Sequence, residues 1–248
     1  MKRALTGVFI VALALAGLAS AASYQGAPPT PTRSTQQART VGCAGFVGLT
    51  IDDGPSADTG SLLTTLRDHR ATATFFNVGA EVQKYPGTVR AEAAVGQVAN
   101  HTYSHAFLDE LTNEQASREL LGTNQIIASI TGTTPILFRP PFARVNANTE
   151  GIVHSVGMTT VLWNIDTYDY VDGKQLVQKF AGARAGDVIL IHDKIASTRT
   201  DLSRALDQLE AHKLCTGEIV PSTTPHFAWH TEKFGDVTFN AKVVAPTG

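Results

Sequence analysis

Two carboxylates and two histidines are the residues of this chain whose types and spacing most directly suggest chemistry. Asp52 and Asp53 are adjacent in a turn after an apolar run, where two carboxylates repel each other unless a cation or a proton separates their roles. His101 and His105 are four residues apart, so on a helical turn both imidazoles would share one face and could bind one ion. One carboxylate with two imidazoles leaves positions open for water and substrate, as in a catalytic zinc site. The alternatives are a simple Asp-Asp-Gly-Pro turn or cap and a solvated or capping histidine pair.

Three more polar strings follow apolar runs. Arg139 lies between Phe138 and two prolines that stiffen the loop, so the guanidinium and the backbone N–H of Phe142 can be held in fixed directions. The others are Asp-Thr-Tyr-Asp-Tyr at 166–170 and Leu-Ile-His-Asp at 190–193. Each could be a structural turn, and a lone histidine could be a satisfied core residue. Their repeated position after apolar runs favours one shared site.

The elements that position these strings alternate between apolar runs and amphipathic stretches. We predict strands at 46–51, 72–78, 97–99, 136–138, 160–163 and 188–191, and helices at 57–69, 85–95, 113–130 and 202–212. Thr-Asn-Glu-Gln at 112–115 is typical of a capping box. Repeated β-α units imply a parallel sheet or barrel covered by helices, with the chemistry at the carboxyl ends of the strands.

Length and composition agree with one large α/β domain. The chain has 248 residues, of which 43% are apolar and 17% charged, as in ordinary globular proteins. Its formal charge is -2, without a long run of either sign, which disfavours nucleic acid and favours a neutral substrate.

The N-terminal sequence predicts export. Residues 1–21 have the basic start, apolar stretch and small-residue cleavage site of a signal peptide, and we expect cleavage before Ala22. The alternative is a membrane anchor, but the apolar stretch is shorter than the ~20 residues that span a bilayer. Residues 22–42 predict a Pro/Thr/Ser-rich linker, 43–220 the folded domain, and 221–248 a tail that packs on the barrel or forms a hairpin.

The two cysteines of the chain, Cys43 and Cys215, are predicted to form a disulfide, because the predicted signal leads to an oxidising compartment. Two buried free thiols are the alternative.

Five strings resemble, in order, the five motifs of the polysaccharide deacetylase or NodB-homology family, which includes chitin, peptidoglycan and acetylxylan deacetylases. They lie at 50–56, 101–105, 139–142, 166–170 and 190–193, and the resemblance extends over roughly 43–220. The sequence around the two cysteines is most similar to secreted actinobacterial acetylxylan esterases, and chitooligosaccharide deacetylases are also similar. The resemblance implies a distorted (β/α) barrel with a single catalytic domain.

The resemblance also implies roles for individual residues. Asp52 would be the general base, and Asp53, His101 and His105 would bind Zn²⁺ or another divalent metal such as Co²⁺. His192 would be the general acid. Arg139 would orient Asp52, and Asp166 would tune His192. The implied substrate-binding residues are Pro141, Phe142, Tyr170 and Leu190. Leu190 would line the acetyl pocket.

Three positions depart from the family pattern. Ile51 replaces an aromatic residue, Phe142-Ala143 replaces the commoner Tyr-Gly, and Tyr170 replaces tryptophan. None of these changes removes an ionisable group, but Tyr170 is smaller than an indole and leaves the shape of the acetyl pocket open.

The sequence therefore predicts a secreted, extracellular, monomeric hydrolase that removes acetyl groups from a polysaccharide or oligosaccharide. We expect O-acetyl esters of acetylxylan to be preferred, with the N-acetyl groups of chitin or its oligomers as the alternative. After signal cleavage we expect no membrane association, and we expect no nucleic-acid partner. Two other classes stay open: a catalytically weak carbohydrate-binding relative, and a non-haem iron oxygenase with a two-histidine, one-carboxylate triad. The usual jelly roll of such oxygenases disagrees with the β-α alternation.

Overall fold

The central strand of the fold carries apolar residues on one face and polar residues on the other. A computed structural model describes residues 42–223, 228–231, 235–238 and 240–247, and in it the last six residues of β1 (Gly45–Asp52) are buried. Val47, Leu49 and Ile51 join a core cluster with leucines of the surrounding helices. The alternate residues Thr50 and Asp52 bond instead to a buried arginine, so the helix-free side of the sheet is partly polar.

The parallel strands form one curled sheet. Their spatial order is 159–160, 137–138, 97–100, 74–77, 45–52, 188–192 and 165–166, and the strand at 214–216 also pairs with β1. Seven helices and a pair of antiparallel ribbons complete the described part of the chain. The strands after β1 are β2 Thr74–Asn77, β3 Gln97–Asn100, β4 Leu137–Phe138, β5 Thr159–Thr160, β6 Ile165–Asp166, β7 Val188–His192, β8 Leu214–Thr216, β9 Glu218–Pro221, β10 Ala228–Thr231, β11 Gly235–Thr238 and β12 Ala241–Val244. The helices are α1 Thr59–Asp68, α2 Gly79–Lys84, α3 Pro86–Ala93, α4 Asn113–Thr131, α5 Ala147–Ser155, α6 Gly173–Ala181 and α7 Ala196–Ala211.

This architecture confirms the predicted distorted (β/α) barrel. All of the described residues belong to one compact unit. The capping box is also present: Gln115 N donates to Thr112 Oγ1 at 3.3 Å, and Thr112 N donates to Gln115 Oε1 at 2.9 Å. The helix that it starts ends at Gly132, whose φ of 75° is left-handed.

Several predicted boundaries were wrong. The last helix begins at Ala196 rather than 202. Of the predicted strand at 160–163, only residue 160 lies in a strand, the end of β5, and β6 begins later, at Ile165. Helices α2, α5 and α6 were missed. Two of these helices begin at side-chain caps: Asn146 Oδ1 accepts from Thr149 N, and Asp172 Oδ1 accepts from Gln175 N. The cap of α5 offsets the weak apolar periodicity of that helix, whereas α6 has a clear apolar face that includes Leu176 and Phe180.

The C-terminal segment contributes to the barrel as well as forming ribbons. β12 pairs antiparallel with β9, and Ala241 packs with Ile219 and Phe76 in a buried cluster. β10 and β11 form a hairpin. The predicted Cys43–Cys215 disulfide is present, with a Cα–Cα distance of 5.7 Å. It links the start of β1 to β8.

The predicted signal peptide and nearly all of the predicted linker lie outside the described residues. In the described part of the chain, no helix combines the length and the apolar character needed to cross a membrane.

Candidate active site and metal centre

The carboxyl ends of the parallel strands bring the predicted site residues to one edge of the sheet. In the register of β1 and β7, Asp52 lies directly beside His192. Asn100, at the end of β3, is paired with Phe138 of β4, so the loops that carry His101 and Arg139 leave the sheet side by side. The predicted gathering of the five strings is therefore observed.

Three side chains converge in a geometry that suits a metal ion. Asp53 Oδ1 lies 3.4 Å from His101 Nε2 and 3.1 Å from His105 Nε2. The three candidate ligand atoms all lie within 4.8 Å of one another. His101 Nδ1 donates to the carbonyl oxygen of Arg139 at 2.7 Å, which leaves Nε2 as the nitrogen available to a cation.

The two histidines do not lie on a helical turn, so that premise of the sequence analysis was wrong. Thr102 and His105 have φ values of 64° and 61°, which interrupt any right-handed helix. The loop is fixed by local hydrogen bonds instead: Asn100 Oδ1 accepts from Thr102 N at 2.9 Å, and Glu119 of α4 accepts from Tyr103 N at 2.8 Å. The four-residue spacing brings the imidazoles together through this loop.

The charge of Asp53 also suits a cation site. Burial raises the pKa of its carboxyl group. The hydrogen bonds of His101 and His105, together with the charges of His101 and His192, outweigh burial and hold the pKa well below its ordinary value. Asp53 has a φ of 69°, so its backbone is held in a left-handed turn. An anionic oxygen and two imidazole nitrogens are a donor set that fits Zn²⁺ or a related divalent ion.

Asp52 is held by a buried arginine. Asp52 is 4% exposed, and its Oδ1 accepts from Arg139 Nη1 at 2.8 Å. Its second oxygen lies 3.9 Å from His101 Nε2, beyond hydrogen-bond distance but next to the metal ligands. One oxygen of Asp52 is therefore fixed, and the other borders the site.

Arg139 is fully buried, and its fork is occupied by fixed acceptors. Nε donates to Val161 O at 2.9 Å, Nη2 to Leu162 O at 3.0 Å, and Nη1 to Thr50 Oγ1 at 2.7 Å as well as to Asp52. Burial lowers the pKa of Arg139, and the Asp52 carboxylate opposes that shift. Its four hydrogen bonds hold the guanidinium in one orientation, and losing one member of such a buried ion pair typically costs about 3–5 kcal/mol.

His192 bonds to Asp169, whereas Asp166 was the predicted partner. His192 Nδ1 lies 2.8 Å from Asp169 Oδ1, and His192 N donates to Asp169 Oδ2 at 2.6 Å. Thr198 Oγ1 donates to the same Oδ2 at 2.5 Å. Asp166 Oδ1 instead accepts from Tyr168 N at 2.9 Å, which closes a turn. Asp169 was in the quoted string but had no role in the sequence analysis.

The surroundings of His192 favour its protonated form. Burial lowers the pKa of the imidazole, but the hydrogen bond and charge of Asp169, helped by the charges of Asp52 and Asp53, raise it to about 9. A bound cation would offset part of the contribution of Asp53.

An open cleft of about 390 Å³ lies over these groups. Phe142 is 61% and Tyr170 55% exposed on its rim, whereas Leu190 and Pro141 are buried. The Phe142 ring lies 4.8 Å from that of His105, and the Tyr170 ring 6.0 Å from that of His192. The structure adds one wall residue, Trp163, that the sequence analysis placed only in a strand.

A second group of possible ligands, His69, Asp207 and Glu210, joins α1 to α7. His69 Nε2 already bonds to Ser203 Oγ at 2.8 Å, and the carboxylates are about 60% exposed. This group is accounted for as an interhelical contact.

Known proteins share this fold and site. A polysaccharide deacetylase family model matches residues 41–161. A solved family 4 carbohydrate esterase from Streptomyces lividans, in complex with acetate, is 36% identical with a TM-score of 0.71, and the match covers 83% of this chain and 100% of that one. The chain belongs to the polysaccharide deacetylase family, a family of hydrolases.

Two curated relatives show the range of the family. A bifunctional xylanase/xylan deacetylase of Cellvibrio japonicus is 33% identical over 185 residues, covering 73% of this chain and 28% of the relative. A peptidoglycan-N-acetylglucosamine deacetylase of Listeria monocytogenes is 33% identical over 170 residues, covering 66% and 36%. The chain spans only about a third of the length of these relatives.

Proposed function

We propose that this chain is a secreted, metal-dependent deacetylase that hydrolyses the O-acetyl esters of xylan. The observation that carries the proposal is the placement of Asp52 and His192 side by side next to Asp53, His101 and His105. A base, an acid and a cation site at one edge are the groups that acyl hydrolysis requires. The predicted signal peptide and the disulfide support export.

The metal would be held by Asp53, His101 and His105. When bound, Zn²⁺ or Co²⁺ supplies Lewis-acid polarisation of the acetyl carbonyl and makes the attacking water more acidic. Asp52 accepts the proton of that water through the oxygen that Arg139 leaves free. Because Arg139 is locked by fixed acceptors, it orients Asp52 before substrate arrives.

His192 completes the reaction as the general acid. Asp169 holds its Nδ1–H, so the other ring nitrogen can give its proton to the leaving alkoxide. The backbone N–H of Phe142, next to His105, would donate to the developing oxyanion. The aromatic rings of Phe142 and Tyr170 offer apolar faces to the sugar.

Ionisation of His192 should set the alkaline limb of the pH profile. Its pKa is raised, so the protonated acid is present at low pH and is lost as the pH rises through about 9. We expect Asp169→Asn to shift the alkaline limb of kcat/KM to lower pH, because it removes the charge that opposes burial. Initial rates of acetate release against pH measure this.

Asp166→Asn is the matched control for that change, since it alters a carboxylate of the same string. We expect its alkaline limb to stay in place. An unchanged limb in Asp169→Asn, or an equal shift in both variants, would contradict the assignment.

The substrate is proposed from the chemistry of the leaving group and from relatives. An alkoxide leaves more readily than an amine anion and so asks less of His192. The esterase and the xylan deacetylase among the similar proteins support the same choice, whereas the Listeria relative is named for an N-acetyl substrate.

We therefore expect higher kcat/KM for acetate release from acetylxylan than from chitin oligomers or peptidoglycan. All three substrates should be tested at equal acetyl concentration. Higher kcat/KM on an N-acetyl substrate would overturn the xylan proposal, but the chain would still be a deacetylase. No acetate from any of them would favour the carbohydrate-binding alternative.

A further inference from the structure

A buried polar pair beneath the metal-binding loops has no part in the proposed reaction. Glu92 of α3 and Asn77 at the end of β2 are 0% and 1% exposed. Asn77 Nδ2 lies 2.5 Å from Glu92 Oε2. The remaining side-chain oxygens of the pair, Asn77 Oδ1 and Glu92 Oε1, have no hydrogen-bond partner among the described residues. An ionised carboxylate with a single bond would be costly at this depth.

The unpaired oxygen atoms fit a different arrangement of hydrogen atoms. In the original orientation, the Asn77 amide donates to Glu92 Oε2, while its own Oδ1 and Glu92 Oε1 have no donor among the described residues. The oxygen and nitrogen of the Asn77 amide exchange places by a half-turn of the amide. After that turn, the carbonyl oxygen of Asn77 accepts from a protonated Glu92.

The half-turn also improves the surroundings of the amide nitrogen. In the original orientation, Asn77 Oδ1 and Asp193 Oδ2 border one point, lying 3.0 and 3.3 Å from where a Cβ on Gly54 would be. Both acceptors therefore lie close to Gly54, and neither Asn77 Oδ1 nor Asp193 Oδ1 has a hydrogen-bond donor among the described residues. With the amide turned, Asn77 presents N–H groups to the side where Gly54 lies.

The backbone from Asn77 to Ala80, here called the bridging segment, joins both loops that carry the candidate ligands. His101 N donates to Asn77 O at 3.0 Å. Val78 N donates to Gly54 O at 2.9 Å, next to Asp53. Gly79 N and Ala80 N donate to the carbonyl oxygens of residues 102 and 103, both at 2.9 Å. Any shift of Asn77 is therefore passed to Asp53 and His101 together.

Close packing makes the bridging segment intolerant of movement. A Cβ at Gly79 would lie 2.8 Å from Tyr103 Cδ2 and 2.6 Å from Thr123 Oγ1. The segment thus lies against the histidine loop on one side and α4 on the other, and Glu92 holds its first residue from below.

We propose that Glu92 is a neutral, protonated positioning residue that donates its O–H to the Asn77 carbonyl and so fixes the two loops that bind the metal. The proposal rests on the proposed metal site. It assigns Glu92 no contact with substrate.

The electrostatics of the pair agree with a neutral acid. Burial raises the pKa of Glu92 and the negative charge of Asp193 raises it further, to about 8, even against the hydrogen bond that Asn77 donates in its original orientation. Asp193 faces the pair from the loop after β7 and is held by Thr59 Oγ1 of α1 at 2.7 Å.

Zinc binding to the full metal-free protein tests the positioning role. Glu92→Gln retains an N–H donor at the position of the O–H, so we expect the zinc Kd of the wild type. Glu92→Leu has similar size but no donor, and we expect Kd to rise about 10- to 100-fold, as for other residues that orient metal ligands. Competition with a chromophoric chelator gives both values. Equal Kd in wild type and Glu92→Leu would overturn the proposal.

Stability against pH tests the proton itself, without any metal. Because the pKa of Glu92 is raised from 4.5 to about 8, the metal-free wild type should lose stability as the pH rises through this window. Glu92→Gln cannot ionise and should escape that loss, so its urea midpoint should increasingly exceed that of the wild type from pH 5 to pH 9. A constant difference would show that Glu92 does not carry the proton.

The two arms separate the possible failures. If the wild type binds no zinc, the proposed metal site fails, and the urea comparison still decides whether Glu92 is neutral. If Glu92→Leu does not fold, Glu92→Gln decides: weakened zinc binding in that variant would contradict the proposal.

Discussion

Replacing His105 with alanine is expected to abolish stoichiometric zinc binding and acetate release together. His105 Nε2 lies 3.1 Å from Asp53 Oδ1, so the change removes a candidate ligand. The side chain of His105 is 29% exposed against 3% for His101, so less packing is lost than in His101→Ala. With one of three protein ligands gone, a catalytic site keeps too few fixed donors to retain the ion. Zinc content after dialysis and acetate release measure the two losses.

His101→Ala should have the same effect with an added loss of stability, because His101 is buried and its Nδ1–H bonds to the Arg139 carbonyl. His154→Ala is the matched control. His154 is an exposed histidine of α5, and the His154→Ala variant should retain both zinc and activity. Full activity with stoichiometric zinc in either ligand variant would rule out the assigned metal site.

Asp52→Asn is expected to retain zinc and to lower turnover about 10²- to 10⁴-fold, the usual contribution of a positioned general base. Asparagine has the same shape as Asp52 and can still accept from Arg139, but it cannot take up the proton of water. The variant also leaves Arg139 buried without its counter-charge, so a lower urea midpoint is expected as well. The measurements are kcat, zinc content and the unfolding midpoint.

Asp58→Asn is the control for this variant, since Asp58 is an exposed carboxylate just before α1. Its kcat and midpoint should match those of the wild type. Loss of zinc from Asp52→Asn would show that the two aspartates have been assigned the wrong way round.

The sequence predicts the barrel well because its strands are buried on two sides. In β1 the run from 46 to 51 is apolar on the helix-facing side and ends in two acids, which is the pattern of a parallel strand with chemistry at its carboxyl end. The short helices were harder to predict. α5 and α6 begin at the N-caps Asn146 and Asp172, and each helix is only nine residues long.

The errors at the site come from loops, where periodicity carries no information. The prediction that His101 and His105 lie on a helical turn was wrong because Thr102 and His105 have left-handed backbone conformations. Glu119, which is distant in the sequence, accepts a hydrogen bond from this loop and fixes it. Asp169 was overlooked because its partners are distant in the sequence: Thr198, which donates to Asp169 Oδ2, lies 29 residues further along the chain. The residue types therefore indicate the site, but only the structure shows which carboxylate bonds to His192.

Chelation and metal return decide whether Asp53, His101 and His105 hold a catalytic divalent ion beside Asp52. Acetate release from acetylxylan is measured with one preparation before chelation, after chelation and after return of Zn²⁺ or Co²⁺. We expect the rate to fall to background when the metal is removed and to recover when it is returned, with no recovery in His105→Ala. An unchanged rate in protein shown to contain no metal would contradict the account.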